Sequence, residues 1–68
     1  MALTKATIAV YRDNNGYTAM LTLGGINPPP NPIFELAEMI DLQKPNNFLQ
    51  RARDEARRRG INHIKNLD

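Results

Sequence analysis

From Thr4 to Arg12 the chain alternates in the period of a half-buried strand, with Ala6, Ile8 and Val10 on one face. Tyr17 to Leu23 alternates again and gathers Ala19, Leu21 and Leu23. Between the two runs lies Asp13-Asn14-Asn15-Gly16, and Asn-Gly favours the positive backbone angles of a type I′ turn. The pattern therefore predicts a β-hairpin over residues 4–23. A two-residue Asn15-Gly16 turn would set Val10 against Leu21, Ile8 against Leu23, and Tyr11 against Met20 on the other face. A four-residue loop would keep the same faces, so the turn type stays open.

After Gly24-Gly25 the periodicity stops. Residues 26–32, Ile-Asn-Pro-Pro-Pro-Asn-Pro, read as a stiff polyproline II connector. Residues 32–42 then fit a helix, with Ile33, Leu36, Ala37 and Ile40 on one stripe and Glu35, Glu38 and Asp41 opposite. Asn31 would cap it and Pro32 would occupy its first turn. Strand spacing would instead align Phe34, Leu36, Ile40 and Leu42, interrupted by Glu38. Leu, Ala, Glu and Met favour the helix. A second helix is expected over residues 47–59. Asn47 and Gln50 resemble a capping box, Phe48, Leu49, Ala52 and Ala56 form an apolar arc, and Gly60 supplies a left-handed stop. The tail, residues 61–68, reads as a short strand entering the sheet, with a last helical turn as the alternative.

The expected fold is therefore α+β: an N-terminal hairpin, two short helices, and a C-terminal strand completing a small sheet if the tail is extended. With 68 residues, one small domain is expected, burying only about 60% of its unfolded surface. Without Cys and with a single His, no disulfide or zinc centre can reinforce it. Self-association, as a dimer or larger assembly, would make up the missing core. No apolar h-region follows Met1 and no run approaches the ~20 apolar residues of a membrane span. A cytoplasmic protein without membrane contact is expected.

Charge is unevenly placed. Residues 1–30 carry +1, residues 31–43 carry −3, and residues 44–68 carry +4. Five of the nine basic residues lie between Arg51 and Arg59. Part of this has a helical explanation, since Asp54 with Arg58 and Glu55 with Arg59 are acid-first pairs four residues apart. The remainder is a candidate partner surface. Arg51, Arg53, Arg57 and Arg58 are the candidate contact residues, together with Tyr11 and Met20 on the outer hairpin face. Nucleic acid is the alternative partner, because Arg forks match phosphate. Against it, the arginines fall on two flanks around Asp54, and the two Tyr residues face opposite sides of the hairpin, which is no stacking platform.

Catalysis has little support. His63 has no nucleophile beside it, Glu35, Glu38 and Asp41 lack the further oxygens of a calcium site, and Gly24-Gly25 lacks the remainder of a phosphate-binding loop. No cofactor, metal or catalytic residue is expected. Asn47-Phe48, Arg53, Gly60 and Ile61 to Ile64, in the order hairpin, acidic segment, helix, Gly and Ile-containing tail, resemble two groups. One is the small HicB-type antitoxins, with a sheet and one covering helix. The other is the small core-linker modules of cyanobacterial light-harvesting antennae, whose helix runs into Gly and an Ile-rich strand. The linkers usually carry a second Gly where Arg59 stands here, and neither resemblance transfers a function. The residues themselves point to a non-enzymatic interaction or regulatory module of a prokaryote or phage.

Overall fold

A computed structural model describes residues 3–67. Three strands and one helix follow in order: β1 (Thr4–Asp13), β2 (Gly16–Leu23), β3 (Phe34–Ile40) and α1 (Asn46–Arg58). The sheet is antiparallel in the order β2-β1-β3, and the architecture is α+β. β1 is central. Residues Ala6 to Val10 are all buried, on both faces, so this strand needs cover above and below as well as a neighbour on each side.

The hairpin forms, but its turn differs from the expected one. Asn14-Asn15 make the turn and Asp13 pairs with Gly16. Asp13 Oδ1 accepts the Asn15 N–H at 2.8 Å, a side-chain imitation of a backbone turn. Gly16 takes the positive angle at φ 137°, and neither Asn does, so the turn is not type I′. The pairing is consequently that of the four-residue-loop alternative. Val10 faces Ala19, Ile8 faces Leu21, Ala6 faces Leu23, and Tyr11 faces Thr18 while Met20 lies opposite Ala9. Both faces survive because the register moved by an even number of residues.

Residues 32–42 are not a helix. β3 occupies them, pairing Val10 with Phe34, Ile8 with Leu36 and Ala6 with Glu38. Asn31 adopts φ 66° ahead of this extended segment instead of capping a helix. Two facts outweigh the local preference of a few tenths of a kcal/mol per residue. Without β3, the buried Ala6, Ile8 and Val10 would leave their ladder groups on that side unpaired, and each such group costs about 1–3 kcal/mol. Glu38, the residue that spoiled the strand pattern, does lie on the inner face. Arg51 of α1 meets its carboxylate at 2.5 Å, so its position is electrostatically matched.

α1 covers the inner face with Phe48, Ala52 and Ala56 buried and Leu49 partly so, as the apolar arc requires. The expected capping box is absent. The helix starts at Asn46 with Pro45 at the cap position and no side-chain cap bond, which moves Asn47 inside the first turn. Gly60, at φ 83°, does end it. Gly60 N–H donates to Arg57 O and Ile61 N–H to Ala56 O, both at about 3 Å, the paired bonds of a Schellman motif. Ile61 is thereby turned into the core.

The expected C-terminal strand does not form; the third strand is β3. The tail is irregular, and still fills the core with Ile61 and Ile64. Lys65 N–H donates to Tyr17 O at 2.9 Å, and the Asn66 side chain bonds Ala19, accepting its N–H at 2.7 Å and donating to its carbonyl. One amide side chain thus does the work of a strand residue beside β2. The small Ala19 opposite Val10 leaves the room the tail occupies.

The connector runs from the end of β2 across β1 to β3. It crosses the outer face, where the Tyr11 hydroxyl donates to Pro29 O at 2.6 Å and Thr7 and Ala9 are buried. Partial burial, and then the Glu35 carboxylate, raise the Tyr11 pKa above its ordinary value. The neutral phenol is therefore favoured in the fold. Its contribution is complete below the ordinary tyrosine pKa of about 10 and is lost as pH climbs through the raised value.

Two stability outcomes follow from this packing. Phe48, among the largest fully buried side chains, should cost about 3–5 kcal/mol on Phe48→Ala, read as a lower urea midpoint. Thr22 Oγ1 is buried without a hydrogen-bond partner, so the near-isosteric Thr22→Val should raise that midpoint by about 1 kcal/mol of stability. A lowered midpoint in Thr22→Val would show that the hydroxyl is satisfied.

Candidate protein-interaction surface

The two free sides of the sheet are not equivalent. Strand residues point their backbone groups alternately left and right, so the paired residues can be told from the outward ones. Gly24 N–H reaches Lys5 O on the β2 side, and Ile33 N–H reaches Val10 O on the β3 side. Ala6, Ile8 and Val10 therefore serve β3, through Glu38, Leu36 and Phe34. The outward backbone groups of β3 belong to Glu35, Ala37 and Met39. Tyr17, Ala19, Leu21 and Leu23 are the corresponding outward residues of β2, and the tail bonds the first two, through Tyr17 O and both backbone groups of Ala19. No described residue does this for Glu35, Ala37 or Met39.

The open edge is amphipathic. Met39 is 59% exposed, Leu36 is half-buried, and Ala37 is exposed at the midpoint of the strand. Beside the Met39 end, β3 and the start of α1 enclose an open recess of about 260 Å³, lined by Met39, Ile40, Lys44, Phe48 and Arg51 among others. At the other end the Arg59 guanidinium lies 4.6 Å from the Phe34 ring centroid, a cation–π contact worth about 0.5–1 kcal/mol at an exposed site.

The arginines are distributed over local partners. Arg51 holds Glu38. Arg53 donates Nε–H to Leu67 O at 3.1 Å, tying the tail to the helix, and Nη1–H to Gln50 Oε1. Arg57 pairs with Asp54 at 3.5 Å, while Glu55 takes both Arg58 at 3.0 Å and Arg59 at 2.8 Å. The expected Glu55–Arg59 pair forms; Asp54 takes Arg57 in place of Arg58. Arg57 and Arg58 remain largely exposed, so each exposed pair contributes at most about 1 kcal/mol. Tyr11 and Met20 do share the outer face, but the connector holds Tyr11 by its hydroxyl and Met20 stands opposite Ala9, 43% exposed.

Glu35, Ala37 and Met39 escape the sequence reading because a helix over residues 32–42 leaves no edge. The strand alignment of Phe34, Leu36 and Ile40 was the signal for them. A second recess, of about 310 Å³, lies between the hairpin turn and the tail, lined by Asn15, Tyr17, His63 and Lys65 among others. The chain contains neither Ser nor Cys to serve as a nucleophile beside His63. Among the described residues no group of three or more His, Asp or Glu side chains could hold a metal ion. No helix among them is long and apolar enough to cross a membrane.

No protein-family model matches the chain, nor does any curated protein or solved structure at a significant level.

The contrast between the two edges has a direct check. Asn66→Ala removes both side-chain bonds to Ala19 and should cost about 1–3 kcal/mol. The Ala19 amide should then exchange its hydrogen faster, while exchange at Ala37 stays as it was.

Proposed function

We propose that this protein is a small non-enzymatic interaction module that binds protein by adding a strand to the open edge of β3. The observation carrying this reading is the asymmetry of the sheet: the tail covers the Tyr17–Ala19 half of the β2 edge, whereas all three outward residues of β3 keep free donors and acceptors among the described residues. An exposed edge of this kind is a template for another extended chain, with main-chain bonds giving affinity and alternate side chains giving specificity. The surface area agrees with an unfinished core. The 7.7-kDa chain exposes 4807 Å², against about 4,300 Å² for a compact monomer of that mass.

A nucleic-acid module using the same helix is the second reading, favoured by the exposure of Arg57 and Arg58. Their neighbours Asp54 and Glu55 lie within ion-pair distance, so phosphate would have to displace carboxylates. Fluorescence anisotropy with labelled DNA and RNA, titrated with salt, separates the two. The interaction reading expects no binding at low salt. Binding that falls steeply with salt and weakens in Arg57→Ala and Arg58→Ala would replace it with the nucleic-acid reading. Hydrogen exchange at the Glu35, Ala37 and Met39 amides provides the positive arm. It should be fast in dilute protein and slow once the edge is occupied.

A further inference from the structure

We infer that the occupant of the β3 edge is a second copy of this chain, paired antiparallel about a two-fold axis at Ala37. This rests on the interaction reading above and names its partner. Ala37 is the midpoint of Phe34–Ile40 and one of the outward residues, so two copies can exchange N–H···O bonds there and pair all seven residues of each strand. Phe34 then meets the partner copy's Ile40, Leu36 meets Glu38, and Glu35 meets Met39. Neither glutamate faces its like.

The glutamates select this register. Centring the axis on Glu35 or Glu38 would place identical charges directly opposite, which is destabilising. Centring it on Leu36 would pair only residues 34–38 of each strand, leaving Met39 and Ile40 outside the ladder. The glutamates thus discourage other pairings of the edge while permitting one.

Charge complementarity supports the same register. Lys5 of β1 lies beside Met39, and in the pair the partner copy's Glu35 lies on the far side of Met39, all three on the outer face. Lys5 and that Glu35 are two strands apart, roughly 10 Å, within joint reach of the two side chains across the Met39 thioether. The axis repeats the contact. Within one chain no such pair exists, because Lys5 sits opposite Met39 while Glu35 sits opposite Ala9, four residues along β1. The exposed Ile33 is also brought opposite Asp41, at the mouth of the recess beside Ile40 and Phe48. The result is a continuous six-stranded sheet with both helices on one face.

Sedimentation velocity over a concentration series reads this directly. The wild type should reach twice its 7.7-kDa chain mass. Ala37→Pro removes an outward donor without touching the bonds to β1, and should leave a folded monomer. Lys5→Glu and Glu35→Lys should each weaken the dimer about tenfold or more. Mixing these two variants should restore it, since each Lys–Glu contact is then re-formed across a mixed pair. A wild type that stays monomeric at high concentration, or a mixture no better than its components, overturns the self-pairing. If slowed exchange at Ala37 then appears only when another protein is added, the interaction reading stands without it. If it never slows, both fail.

Discussion

Everything in this fold follows from the demands of β1. Ala6, Ile8, Ala9 and Val10 are at most 1% exposed, which in so short a chain requires two neighbouring strands and two covering layers. The hairpin supplies one neighbour cheaply, through a local turn. The second must come from beyond the connector, and it must run antiparallel to β1, hence parallel to β2. That arrangement forces a crossover, and the crossover becomes the outer layer. α1 and the tail form the inner one. A side chain such as Phe48 is worth about 2–3 kcal/mol when fully buried, and without disulfide or metal the fold depends on such contributions.

The same demand creates the asymmetry between the edges. After the Schellman turn, residues 61–67 run along the β2 side, where Ala19 leaves space. Ile61 and Ile64 fill the core, and Asn66 completes hydrogen bonds that a fourth strand would otherwise make. Nothing of the described chain is left to reach β3. The tail thus covers half of the β2 edge, and Glu35, Ala37 and Met39 of β3 form the contact surface proposed above.

The elements whose reasons are local were legible in the sequence: the hairpin and its faces, the apolar arc of α1, and Gly60 as its stop. What was not legible depended on distant residues. The turn at Asn14-Asn15 is set by the Asp13 carboxylate and by the tail packing on Ala19. Whether Phe34–Ile40 is strand or helix is decided by the unpaired side of β1 and by Arg51 answering Glu38, and neither lies within that segment. The candidate site shared this fate. Arg51, Arg53, Arg57, Arg58, Tyr11 and Met20 stood out by composition and by face, whereas Glu35, Ala37 and Met39 matter only once β3 is an edge.

The arginine density of α1 gains a different meaning in this setting. Arg51 neutralises the glutamate that faces the helix from β3, Arg53 anchors the tail at Leu67, and Arg59 lies over Phe34. Three of the five thus fasten the single helix to the strand below it or to the tail beside it. The apolar part of that helix is narrow, and two of its three buried residues are Ala, so long side chains at its margins extend its grip on the sheet. A composition that first suggests a phosphate-binding surface is accounted for, to this extent, by the need of one thin helix to hold a sheet much wider than itself.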